Sequence, residues 1–206
     1  SISLQMKEFK IRASASGKLM TNPRSKSEVL SKTTKSYLQE WTKEQIYGFR
    51  KNIQSKYLTK GNEVEDAAID YASEHLGWLF AIKNEEYFED EYFCGTPDVI
   101  LEDTIVDIKS SWDCFSFPLF FDVIPNKDYY YQLQTYMHLT GKRKAQLCYV
   151  LMNTPEDLEY GETNDYSQID SKYRIKTFDI DYDEEVIAEM QEKVNQARDY
   201  IKQITI

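Results

Sequence analysis

Residues 95–113 read GTPDVILEDTIVDIKSSWD. Two short apolar runs, Val99-Ile100-Leu101 and Thr104-Ile105-Val106, flank Glu102-Asp103. That pattern predicts two strands joined by a tight turn. Asp98 and Asp107 stand at the edges of the runs, and Lys109 follows Asp107 by two residues. Residues two apart share a strand face, so Asp107 and Lys109 are expected to point the same way. Charges buried on such a hairpin are costly without a partner. A hard divalent cation, held by carboxylate oxygens and water, is a good partner. Two carboxylates with a lysine beside a metal-bound water are the components of metal-assisted phosphodiester hydrolysis. For a D-x-K triplet taken alone, a plain Asp–Lys pair is the better explanation, because such triplets are common by chance.

Three neighbours change that weighting. The step Pro97-Asp98 precedes Asp107-Ile108-Lys109 by nine positions, with a predicted strand on each side. Glu65 lies upstream in KGNEVEDAA, where Ala67 and Ala68 let a helix approach the sheet closely. Downstream, Gln132 and Tyr136 are four apart and share a helix face, with Tyr129 one turn earlier. Each alone reads as a solvated helix residue or as packing. Together and in this order they are poorly explained by chance.

The rest of the chain surrounds this centre with helices and strands. Apolar spacing predicts helices over Lys32–Tyr47, with Leu38, Trp41, Gln45 and Ile46 inward and Gly48 as the stop, and over 59–75, with Val64, Ala67, Ala68, Tyr71 and Ala72 inward. Strands are expected at 78–83, 86–93, 96–101, 104–109, 145–152 and 173–180. The stretch 11–32 reads as a loop with a short helix, and 112–127 as an irregular aromatic connection broken by Pro118 and Pro125. DYYYQLQTYMHLTG is a helix closed by Gly141, and 155–171 is an acidic loop. Asp183 caps a last helix with Val186, Ile187, Met190, Val194, Ala197, Ile201 and Ile204 in one stripe. The order implies an α/β (α+β) fold with a central mixed sheet flanked by helices. It is read as one domain: a basic helical part (1–58), a core (59–152) and an acidic loop, strand and helix (153–206).

Composition bounds the function. Of 206 residues, 41% are hydrophobic and 29% charged, as in a soluble globular protein. No apolar run approaches a membrane span, the first residues lack a signal-peptide core, and Cys94, Cys114 and Cys148 form no C-x-x-C pair. A cytoplasmic protein with reduced thiols is expected. Net charge is −10, yet residues 1–60 hold 13 Lys and Arg against 4 Asp and Glu. Such asymmetry points to a polyanionic partner or to a solvated basic segment. If the partner is DNA, Arg12, Lys18, Arg24 and Lys26 are candidates to line its path.

With these residues in view, the chain resembles the PD-(D/E)XK nuclease superfamily, and within it the phage lambda exonuclease and YqaJ-type viral recombination exonucleases. Gly61, Glu65 and Ala68 match their G-x-x-x-E-x-x-A helix, YYYQLQTYMHLTG is similar to their Q-x-x-x-Y helix, and IRASASGKLMT is similar to their N-terminal Arg/Ala-Ser element. The second hairpin acid is Asp107, where those enzymes usually carry Glu. The resemblance implies a restriction-endonuclease-like αβββαβ core and a Mg²⁺-dependent (Mn²⁺ substituting) DNA exonuclease, 5′ to 3′ on double-stranded ends in phage or prophage recombination. Asp98 and Asp107 would hold the metal with the Ile108 carbonyl, and Glu65 would complete the site. Lys109 would position and activate water, Gln132 would hold the site or a phosphate, and Tyr136 would brace that helix. Arg12, Ser14 and Ser16 would meet a terminal phosphate. Homo-oligomers and a single-strand annealing protein are expected partners, and a membrane is not. The competing readings are a structure-specific or single-strand nuclease on the same core, an inactive DNA-end-binding module, and an acidic structural protein.

Overall fold

The computed structural model describes residues 6–51, 56–79, 81–155 and 164–205. Its elements in chain order are β1 (Ile11–Arg12), α1 (Ser16–Leu19), α2 (Lys32–Tyr47), α3 (Lys56–Leu76), β2 (Phe88–Glu89), β3 (Phe93–Gly95), β4 (Val99–Ile100), β5 (Thr104–Ser110), α4 (Lys127–Thr140), β6 (Lys144–Val150), β7 (Ile175–Asp181) and α5 (Glu184–Ile204). The strands divide into two sheets. One has the order β4-β5-β6-β7 and is mixed, with β5 and β6 parallel and both outer pairs antiparallel. The other is small, with the order β1-β3-β2. The expected mixed sheet is therefore present, with the strands nearer the N-terminus split off as a separate layer.

Helix α3 covers one face of the four-stranded sheet, where Ala68, Ile69 and Ala72 pack on Val99, Val106, Ile108, Cys148 and Val150. Helix α4 covers the other, placing Leu133, Tyr136 and Met137 over Ile105, Ala145 and Leu147. Residues 132–137 of α4 are all buried, so this helix is enclosed on every side rather than amphipathic. The two chain ends share a third core. There Phe9, Ile11, Leu19 and Leu38 meet Phe93 and the α5 stripe Ile187, Met190, Val194, Ala197 and Ile201.

Local signals explain the helix boundaries. The Ser31 side chain accepts from Thr34 N at the start of α2, Asn126 from Asp128 N at α4, and Asp183 from Glu185 N and Val186 N at α5. Each satisfies donors that a helix start leaves open. Gly48 and Gly141 end α2 and α4 in the left-handed region, with φ of 75° and 78°, as glycine permits.

Several expectations need correction. No strand forms among the described residues of 78–83. Leu79 and Ile82 there are 82% and 78% exposed, whereas Trp78 and Ala81 pack, partly buried, against the core between α3 and the sheet, so the run is anchored at two residues without pairing as a strand. The stretch 86–93 is instead a sharp reversal, with β2 and β3 paired on either side of Asp90, whose Oδ1 accepts from Tyr92 N and Phe93 N. Ile46 and Ile204 face solvent, as does Ala67, while Ile69 is buried in its stead. The short helix expected within 11–32 is α1; β1 and a short turn precede it, and the turn and α1 pack under α4. Residues 156–163 of the expected acidic loop lie outside the described residues, whereas Tyr166, just after them, is buried in the core and accepts from Cys114 N.

Candidate active site

Strands β4 and β5 pair Val99 with Val106. One step further along the same register, Asp98 stands opposite Asp107. Asp98 Oδ2 accepts the main-chain N–H of Ile108 at 2.9 Å. Asp107 is 1% exposed, and its Oδ2 has no hydrogen-bond donor aligned on it. Lys109 Nζ lies 3.0 Å from that oxygen, near enough for an ion pair but not directed as a hydrogen bond. Burial and then the Asp107 charge push the Asp98 carboxyl up to about 9. Burial would lower Lys109, but Asp107, Tyr129 and Asp98 more than reverse it and hold Lys109 above its ordinary value. The Lys109 ammonium also sits 4.3 Å over the Tyr129 ring.

Alternation on β5 puts Asp107 and Lys109 on the α4 side. There Gln132 Nε2 donates to Tyr136 OH at 3.3 Å, both residues being buried. Gly95 explains how β3 reaches this helix. A Cβ on Gly95 would lie 2.9 Å from Tyr136 Cε1 and 3.1 Å from Ala13 Cβ, so only glycine fits without displacing them. The structure thus brings Asp98, Asp107, Lys109, Gln132 and Tyr136 to one place.

Glu65 comes from α3 on the opposite face, at the β4 edge. Its Oε2 accepts from Lys83 Nζ at 2.7 Å. Among the described residues no three His, Cys, Asp or Glu side chains gather as a metal cluster; the carboxylates that meet are Asp98 and Asp107. The Ile108 main chain reaches Asp98 through its N–H. The donor set still fits a hard divalent cation, because buried carboxylate oxygens face one another and one of them lacks a donor.

The N-terminal candidates separate. Arg12 and Ser14 line a cleft of about 1130 Å³ with Lys7, Lys10, Arg50 and Tyr136. Ser16 is fully buried and its hydroxyl bonds Thr135 Oγ1 at 2.8 Å, so it joins α1 to α4 and does not face the cleft. Lys18 lies outside that cleft, over the Tyr37 ring. Arg24 and Lys26 are exposed in the connection before α2.

Two lysines escaped the sequence reading. Lys60 is 1% exposed and donates to Trp112 O, Met152 O and Thr154 Oγ1. It ties α3 to the segments leaving β5 and β6, and burial lowers it to about 8 against the pull of Asp113. Lys83 is the other. Neither belongs to a local motif, and only tertiary placement reveals them.

The chain is 32% identical to a phage-related exonuclease from Haemophilus somnus 129PT, with 96% of each chain covered and a TM-score of 0.85. The alkaline exonuclease LHK-Exo from Laribacter hongkongensis has the same fold at 17% identity and a TM-score of 0.72, covering 94% of this chain and 88% of its own. No family model matches the sequence, and neither does any curated protein. At this identity over nearly the full length, with the Asp98, Asp107, Lys109 and Gln132 constellation in place, the chain belongs to the lambda/YqaJ-type exonucleases of the PD-(D/E)XK superfamily.

Proposed function

We propose that this protein is a divalent-metal-dependent DNA exonuclease that shortens double-stranded ends from the 5′ side, in phage or prophage recombination. One observation carries the reading: two buried carboxylates, Asp98 and Asp107, face each other beside Lys109, with an oxygen of Asp107 left without a hydrogen-bond donor. Asp98 and Asp107 would hold Mg²⁺ or Mn²⁺, with Glu65 and the Ile108 carbonyl as further candidates. When bound, such an ion neutralises phosphate charge and lowers the pKa of a coordinated water.

The protein's own groups have separable tasks. The raised Lys109 ammonium is a donor; it orients the attacking water and meets negative charge developing on the phosphate. Gln132, fixed by Tyr136, is placed to donate to a phosphate oxygen or to hold the site. The cleft that reaches Tyr136 is lined by Lys7, Lys10, Arg12 and Arg50 and also by Glu8, Glu44 and Glu89. With Lys10 paired to Glu89 and Arg50 to Glu44, Lys7 and Arg12 are the cations best suited to a phosphate backbone read without regard to sequence. LHK-Exo has been crystallised in complex with dAMP, which supports a nucleotide-binding site in this fold.

The test is digestion of end-labelled linear duplex in Mg²⁺ and in EDTA, with covalently closed circles alongside and with 5′-phosphate and 5′-hydroxyl ends compared. Mononucleotide release from linear DNA in Mg²⁺, faster from 5′-phosphorylated ends, is the expected result. Equal cutting of closed circles would replace the exonuclease reading with an endonuclease, and binding without turnover would leave an end-binding module.

A further inference from the structure

Glu65 is not free to serve the site as it stands. Its carboxylate is 19% exposed and is held by Lys83 Nζ at 2.7 Å. An ordinary surface pair of this kind contributes little, but the placement of Lys83 is fixed by the site itself. The adjacent Asn84 N donates to Asp98 O at 2.7 Å. Asn84 Nδ2 donates to Pro97 O and to Glu86 O, and Asn84 Oδ1 accepts from Glu86 N. The segment carrying Lys83 is therefore bonded to the main chain of Pro97-Asp98. Asp98 and Asp66, besides Glu65, favour the charged form of its ammonium. Lys83 is thus paired with Glu65 from α3 and lies within electrostatic reach of Asp98.

We propose that Lys83 is the counter-cation of Glu65, a positioning residue that holds this carboxylate until a divalent ion binds and displaces it. The proposal rests on the metal-site reading of Asp98 and Asp107. An ammonium and a divalent ion compete for the same carboxylate charge, so binding of one weakens the other by linkage. Displacement would also free an ammonium beside the metal, where DNA phosphate arrives.

The experiment is calorimetric titration of Mn²⁺, without DNA, into wild type, Lys83→Met, Lys83→Arg, Asp107→Asn and the Glu65→Gln/Lys83→Met double variant. Lys83→Met is expected to bind Mn²⁺ at least about fivefold more tightly, the lower end of typical couplings between two sites. Lys83→Arg, which keeps the charge, should bind like wild type, and the double variant should lose the gain. Unchanged or weaker binding by Lys83→Met, while wild type binds and Asp107→Asn does not, overturns the proposal and leaves the metal site standing. Absence of Mn²⁺ binding by wild type removes both. A second measurement is acetylation of Lys83 by an amine-reactive ester, followed by mass spectrometry with and without Ca²⁺. Labelling should rise when the ion enters, and constant labelling counts against displacement.

Discussion

Asp98 and Lys109 carry opposite demands within one small volume. Asp98 is raised to about 9 from an ordinary value near 3.8, so the folded protein binds a proton there that the unfolded chain has released. That contribution to stability is complete below the ordinary carboxylate range and is lost as pH rises toward 9. In EDTA, the urea midpoint of wild type should therefore fall between pH 5 and 9 relative to Asp98→Asn, which keeps an acceptor for Ile108 N but cannot ionise. Parallel curves for the two proteins would show that the buried pair does not titrate this way. Lys109→Ala addresses the chemistry: turnover should drop by roughly 10²-fold or more, as for removal of a positioned proton-transfer or water-orienting group. Duplex binding in Ca²⁺ should change little, and wild-type turnover in the variant would remove Lys109 from the mechanism.

Among helices and strands, the local patterns were legible and the tertiary ones were not. Caps and apolar spacing announced α2, α4 and α5, and the hairpin of Asp98 and Asp107 is a short-range feature whose register follows from its turn. Gln132 and Tyr136 were readable because one helix turn fixes their relation. Helix α1 matches the short helix expected within 11–32, but its seat under α4 is a tertiary feature that ASASGKLM, with small residues and no apolar period, does not show. Its Gly17 lies against the first turn of α4, where a Cβ would meet Asp128 Cα at 2.8 Å. Residues 78–83 read as a strand from their apolar content, of which Trp78 and Ala81 pack on the core while Leu79 and Ile82 stay in solvent. Lys60 left no sequence signal, since its acceptors come from residues 112, 152 and 154. Lys60→Met should destabilise the fold by about 1–3 kcal/mol for each buried acceptor left without a donor, measured by urea denaturation at pH 7. A change within 0.5 kcal/mol, the ordinary range for a surface substitution, would show that the clamp is dispensable.

The fold sets a cleft lined by four cations and three glutamates beside an acidic pocket, on a chain of net charge −10. DNA binding must therefore be local. Each phosphate contact releases condensed counterions, so Arg12→Ala should flatten the slope of log affinity against log salt by roughly 0.9. Paired removal of Arg24 and Lys26, which lie outside the cleft, should leave that slope unchanged; a loss of about 1.8 instead would route DNA along the connection before α2. If Asp98 and Asp107 face each other to hold a divalent ion, that ion must stabilise the fold. Thermal unfolding with and without saturating Mn²⁺ tests it most directly. At 100 times Kd a ligand adds about 2.7 kcal/mol, which for a domain of this size is roughly 5–10 °C. Wild type should gain that much and Asp107→Asn nothing; an equal gain in both proteins would contradict the account.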